Sequence, residues 1–211
     1  MKNGVPRWGD SAIPFLGQLR AVTGSGKTPI LTQTVAGIGN GVVLWTTRSS
    51  AVVEQTYANL CGRYRPLLPN NARILREIPS QAVWRELIDD TTGLTIWVLT
   101  VASWNEADAD QSGSADARLR LRREQPDWAG VGSPWDQLRT DLKRPLWVVS
   151  DESHNQSAVQ LDQLAALKPQ GFFMASATPL VNDLFNKWAD ALTAGEATRP
   201  LFEAAKVPVL T

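Results

Sequence analysis

The 211-residue chain is expected to fold as an α/β protein with a mainly parallel, doubly wound sheet. Three observations carry that expectation. Short apolar runs rich in Val, Ile, Leu and Trp recur along the chain, as strands covered on both faces require. Helical patterns alternate with them, which favours parallel crossovers over hairpins. A glycine-rich turn joins the first such run to the first helix, the local order from which α/β units are built.

In chain order, strands are expected over 15–21, 41–46, 72–75, 94–100, 145–150 and 171–175. The strongest are the continuous runs Val42-Val43-Leu44-Trp45, Ile96-Trp97-Val98-Leu99 and Leu146-Trp147-Val148-Val149. Helices are expected over 28–38, 51–63, 80–89, 134–142, 158–167 and 181–191. Pro29 falls in the first turn of the first helix, where its missing N–H costs little. The segment 106–133 breaks the rhythm. It runs from acidic (Glu106, Asp108, Asp110) through Gly and Ser to basic (Arg118, Arg120, Arg122, Arg123). It reads as a surface insertion, helical near 115–124, although its alternating Arg and Leu also permit a strand. Its arginines read first as a solvated face and only second as a nucleic-acid contact. One domain accounts for the whole pattern.

Composition narrows the class. Lys and Arg total 21 and so do Asp and Glu, while 43% of residues are hydrophobic and 20% charged. That balance excludes a disordered tail, a collagen-like chain and a coiled-coil rod. It also denies the chain a global basic footprint for nucleic acid, leaving only a local one. Cys61 is the sole cysteine, so no internal disulfide is available and a reducing, cytoplasmic setting is expected. No apolar run approaches a membrane span, and residues 1–10 lack a signal-like apolar core. The nine tryptophans are expected in the core or at an interface.

The stretch Ala21-Val22-Thr23-Gly24-Ser25-Gly26-Lys27-Thr28 carries the most chemistry. Between a strand and a helix, its glycines let backbone N–H groups turn towards phosphate oxygens, and the helix N-terminus adds a positive dipole end. Thr23, Gly24, Ser25, Gly26, Lys27 and Thr28 would thus hold the phosphates of a nucleotide. Lys27 would reach the β- and γ-phosphates and Thr28 would ligate Mg²⁺. Ala21 stands where such loops usually begin with glycine. The bland alternative is a solvated glycine-rich turn.

A second constellation closes the run Leu146-Trp147-Val148-Val149-Ser150-Asp151-Glu152-Ser153-His154. Ligands of open α/β sheets bind beyond the carboxyl ends of strands, which brings Asp151 towards the phosphate loop. Asp151 is expected to hold Mg²⁺ and Glu152 to act as the base that activates water. His154, the sole histidine, lies just beyond. One His and one Cys cannot close a zinc site.

These stretches, with Ser176-Ala177-Thr178, occur in the order of motifs I, II and III of superfamily-two helicases and translocases of the Asp-Glu-x-His type, which the chain resembles. It looks most similar to the motor part of the restriction subunit of type III restriction systems and to related phage and bacterial helicases. Trp45-Thr46-Thr47-Arg48, Leu99-Thr100-Val101-Ala102-Ser103-Trp104-Asn105 and Asp151-Glu152-Ser153-His154-Asn155-Gln156 carry that finer likeness. The resemblance spans roughly residues 16–184. It implies a P-loop NTPase of RecA-like, three-layer fold that hydrolyses ATP with Mg²⁺, with Lys27 and Glu152 as catalytic residues. It implies that His154, Ser176 and Thr178 couple nucleotide state to the nucleic-acid face. It implies that Thr47, Arg48, Thr100 and Ser103 touch a nucleic-acid strand, DNA before RNA.

The resemblance also implies a partner. Such motors use two lobes, and the second supplies an arginine finger worth about 10³–10⁵ in rate. Residues 179–211 are too few for a lobe of roughly 150 residues. The chain is therefore expected to be one ATP-binding lobe, to need a second RecA-like lobe, to hydrolyse ATP poorly alone, and to work beside modification or nuclease subunits. No adenine-reading element is assignable, since Gln18 falls inside the first strand. Two alternatives compete: a nucleotide- or partner-binding module without turnover, and a lobe of an RNA helicase.

Overall fold

The computed structural model describes residues 7–8, 11–12, 15–22, 24–104, 120–128, 130–153 and 156–177. Two short strands, β1 (Arg7–Trp8) and β2 (Ser11–Ala12), pair antiparallel with each other. The sequence carries no alternation that announces this ribbon. The elements that follow are β3 (Phe15–Arg20), α1 (Lys27–Ile38), β4 (Gly41–Thr47), α2 (Ser50–Cys61), β5 (Arg73–Leu75) and α3 (Gln81–Asp89). Next come β6 (Leu94–Thr100), α4 (Pro134–Thr140), β7 (Leu146–Asp151), α5 (Ala158–Ala165) and β8 (Gly171–Ser176). The helix expected over 181–191 lies outside the described residues.

Strands β3 to β8 form one six-stranded sheet in the order β3-β8-β7-β4-β6-β5, and every neighbouring pair in it is parallel. The order brings distant segments together. The first two strands, β3 and β4, are not neighbours, because β7 and β8 enter last and fill the gap between them. The carboxyl ends of β7 and β8 therefore stand beside the loop that leaves β3.

The strands are apolar on both faces because helices cover both. On one face Leu31 and Val35 of α1 and Val53 and Leu60 of α2 pack with Val43, Trp45, Ile96, Val98 and Val149. On the other, Trp84 and Leu87 of α3, Leu138 of α4 and Leu161 and Leu164 of α5 pack with Val42, Leu44, Trp97, Leu99, Val148 and Met174. Alternate residues of β4 thus serve opposite cores, as the period of two demands. Each fully buried aliphatic side chain contributes about 1.5–3 kcal/mol of transfer free energy. Helix starts follow local chemistry. Ser133 accepts from the Asp136 N–H ahead of Pro134, and Ser157 with Gln160 forms a capping box on α5.

The later part of segment 106–133 is interior. Leu121 and Trp128 are fully or almost fully buried and belong to the same core as Trp84 and Trp135. The physical reason is the tryptophan cluster, in which the Trp84 ring lies 5.4 Å from Trp97 and 5.3 Å from Trp128. The Trp84 indole N–H donates to Gln137 Oε1 at 2.8 Å, which settles its one polar atom. Residues 121–123 form a turn and not the helix expected near 115–124, of which residues 115–119 lie outside the described set. Arg122 stacks over the Trp135 ring at 4.6 Å.

Candidate functional site

The loop after β3 is anchored at its first residue and open at its tip. The Ala21 N–H donates to the Ser176 carbonyl at 3.2 Å, tying the loop to the end of β8. The Ser25 N–H and hydroxyl both donate to the Val22 carbonyl, at 3.1 and 2.6 Å, closing a tight turn. Gly24 and Gly26 adopt φ of 82° and 85°, the left-handed region that favours glycine. Val22, Gly24 and Ser25 are exposed, so the turn presents its backbone outward. Gly26 is the N-cap of α1 and has no side chain to cap it, so the helix end keeps its positive character.

Lys27, unlike the tip of the turn, is drawn in from solvent. Its side chain is only 8% exposed, and a lysine in an ordinary surface loop would be in water. The ammonium donates to the Ala21 carbonyl at 3.3 Å and lies 3.2 Å from Glu152 Oε1. Thr28 occupies the first turn of α1, and its carbonyl accepts from the Thr32 hydroxyl at 2.8 Å. Thr23 lies outside the described residues.

The opposing wall is the end of β7. Asp151 pairs in register with Ala175, and Arg20 pairs with Ser176 on the far side of β8. The Asp151 carboxyl is held above the ordinary aspartate value, first by burial and then by the neighbouring Glu152 charge; Lys27 and the Glu152 N–H act in the opposite direction. Glu152 has φ of 58°, a left-handed conformation that costs a non-glycine residue about 1–2 kcal/mol. This turn aims the carboxylate at Lys27. Among the described residues no group of three or more His, Cys, Asp or Glu could hold a metal ion. A divalent cation would rely on Asp151, Thr28 and ligand or water oxygens. That donor set suits Mg²⁺, a hard cation, and the cation would relieve a carboxylate crowded by burial and by Glu152.

Two residues that the motifs left without a role hold this wall in position. The Ser153 hydroxyl donates to the Ala175 carbonyl at 3.2 Å, and Gln156 Nε2 donates to Thr46 Oγ1 at 2.7 Å. Both sit inside the stretch read for its acids, and their polarity alone did not show that they are buried. Ser176 is buried at the end of β8; His154 and Thr178 lie outside the described residues.

A cavity of about 400 Å³ opens beyond the ends of β4 and β6. Arg48, Thr100 and Ser103 line it, joined by Arg76 and Arg120. Thr47 does not join them. It is 1% exposed, and its hydroxyl donates to the Ser49 carbonyl at 3.4 Å. The Thr100 and Ser103 hydroxyls lie 3.2 Å apart. Arg120 donates to the Ala102 carbonyl at 3.0 Å and so braces the turn Val101–Ser103. Arg76 is paired with Glu54 and lies over the Tyr57 ring at 5.2 Å. The arginine content of this rim, spread over three separate segments, is not visible as a run in the sequence.

No protein-family model matches the chain, and no curated protein matches it in sequence. Among the described residues no helix is long and apolar enough to cross a membrane.

Proposed function

We propose that this chain is the ATP-binding lobe of an ATP-dependent DNA helicase or translocase of superfamily two, of the restriction type, built on a RecA-like P-loop fold. The observation that carries the reading is the buried Lys27 ammonium, held against Glu152 where the glycine-rich loop meets the end of β7. A lysine and a carboxylate so opposed suit the two ends of one phosphoryl group: Lys27 neutralises phosphate charge and Glu152 orients and deprotonates the attacking water. Thr28 and Asp151 would hold Mg²⁺, which supplies charge neutralisation between the phosphates when bound. Ser176, with His154 and Thr178, would report the nucleotide state. Arg48, Thr100 and Ser103 would meet a DNA backbone at the neighbouring cavity, with the buried Thr47 hydroxyl, bonded to the Ser49 carbonyl, holding the turn that carries Arg48.

The test is titration with Mg²⁺-ATP followed by calorimetry. Charge-assisted contacts of about 1.5–3 kcal/mol imply that Lys27→Ala weakens binding roughly 10- to 100-fold. Glu152→Gln should retain binding and, in an assembly that turns over, abolish hydrolysis. Equal ATP affinity for the parent chain and Lys27→Ala would overturn the assignment. Competition between DNA and RNA oligonucleotides at fixed salt tests the strand preference.

A further inference from the structure

From the buried bond between Gln156 and Thr46 we infer that Gln156 is a positioning residue that links the turn bearing Glu152 to the strand end bearing Arg48. The inference deepens the proposed function and rests on it. Thr46 is fully buried, and its hydroxyl is used twice. It accepts from Gln156 Nε2 at 2.7 Å and donates to the Val149 carbonyl at 3.2 Å. One residue and two residues later come Thr47 and Arg48, the latter on the rim of the cavity.

At its other end Gln156 closes the turn after β7, its N–H donating to the Ser153 carbonyl at 3.0 Å. Ser153 in turn donates to the Ala175 carbonyl, and the next residue of β8, Ser176, accepts from Ala21 at the start of the phosphate loop. A continuous hydrogen-bonded route therefore runs from Ala21 through β8 and the Glu152 turn to Thr46. The Glu152 turn is the strained member of that route, with its left-handed φ of 58°. Gln156 Oε1 and the Ser150 hydroxyl are buried without a hydrogen-bond partner among the described residues. Buried polar atoms left over in this way cost stability.

The experiment measures oligonucleotide affinity with and without a non-hydrolysable ATP analogue and Mg²⁺. In the parent chain the analogue should change strand affinity by about fivefold or more, the lower end of ordinary coupling. Gln156→Ala and Thr46→Val should each bring that factor below about twofold, while each ligand alone still binds within about twofold of the parent. Thr46→Ser, which keeps the hydroxyl, should retain coupling. The comparison of Thr46→Ser with Thr46→Val decides the matter even if Gln156→Ala fails to fold. Undiminished coupling in Thr46→Val overturns the inference and leaves the proposed function intact. Binding of both ligands by the parent chain without coupling does the same. Failure of the parent chain to bind ATP overturns both.

Discussion

Lys27 Nζ and Glu152 Oε1 lie 3.2 Å apart, joining the first residue of α1 to the first residue after β7. The pair closes the mouth between the two elements that the proposed site needs open. A phosphate entering there must compete with Glu152 for the same ammonium. Glu152 is about one-third exposed, 33%, so solvent screens the pair. Its strength is then that of a surface ion pair, about 0–1 kcal/mol. Glu152→Gln keeps the shape and removes the competing charge. It should tighten Mg²⁺-ATP binding by up to about fivefold, as 1 kcal/mol allows, in the same protein that loses hydrolysis. Calorimetric titration of the two chains side by side measures it, and weaker binding by Glu152→Gln would show that the carboxylate assists the nucleotide instead.

Asp151 gives the fold a pH dependence. Burial, reinforced by the Glu152 charge, raises its folded value above the ordinary 3.8. The folded chain therefore holds this proton more tightly than the unfolded chain. Stability from this group is greatest below the ordinary value, falls as pH rises through the raised folded value, and stays lower above it. Asp151→Asn removes the penalty. It should be more stable than the parent at neutral pH, with the difference closing as pH drops below about 3.8. Urea unfolding of both chains across that range tests the sign. A gap that widens in acid would mean that Asp151 gains more from Lys27 than it loses to burial.

Two glycines of one helix should respond oppositely to the same substitution. Gly26 caps α1 with φ of 85°, and a Cβ there meets nothing nearer than Pro29 Cγ at 3.6 Å. Its cost is backbone strain alone, about 1–2 kcal/mol. Gly37 lies inside α1 with open space around a Cβ. Gly37→Ala should stabilise by about 0.5–1 kcal/mol, by lowering the entropy of the unfolded chain. Gly26→Ala should also weaken ATP binding, whereas Gly37→Ala should not. Denaturation midpoints and ATP titrations on the two variants separate strain in the loop from helix propensity.

The sheet was legible because its signals are local. Runs such as Val42-Val43-Leu44-Trp45 are apolar at every position, and only a strand covered on both faces uses such a run well. The glycine-rich turn before α1 was legible for the same reason, since Gly24, Gly26 and Lys27 fall within four consecutive residues. What escaped depends on distant partners. Arg120 reads as one of a charged run, yet it is 6% exposed because Ala102, 18 residues earlier, offers it a carbonyl. Gln156 and Thr46 meet across 110 residues. Only the strand order, with β7 inserted beside β4, brings them together, and no local pattern encodes that order.

The strand that carries the glycine-rich loop depends on a single small residue at its foot. Phe15 opens β3 and pairs in register with Gly171, the first residue of β8, which among the described residues is the only strand to which β3 is hydrogen-bonded. A Cβ on Gly171 would lie 2.8 Å from Phe15 Cβ, 2.8 Å from Trp147 Cζ3 and 3.0 Å from the Phe15 carbonyl oxygen. Room cannot come from the rings alone, because two of these three atoms belong to the backbone or sit directly on it. The rings are also committed: Phe15 packs at 5.2 Å from Phe173, and Trp147 stacks on Phe173 at 5.6 Å. Gly171→Ala should therefore displace β3 from β8 and cost about 1–3 kcal/mol, the range for overpacking a tight site. Trimming the tryptophan in a Trp147→Leu, Gly171→Ala double variant should not recover that loss, since the contacts with Phe15 Cβ and its carbonyl remain. Amide exchange in β3 should rise more than in β4, which is held by β6 and β7 on its two sides. Full recovery by the double variant would place the strain in the Trp147 ring and not in the β3–β8 pairing.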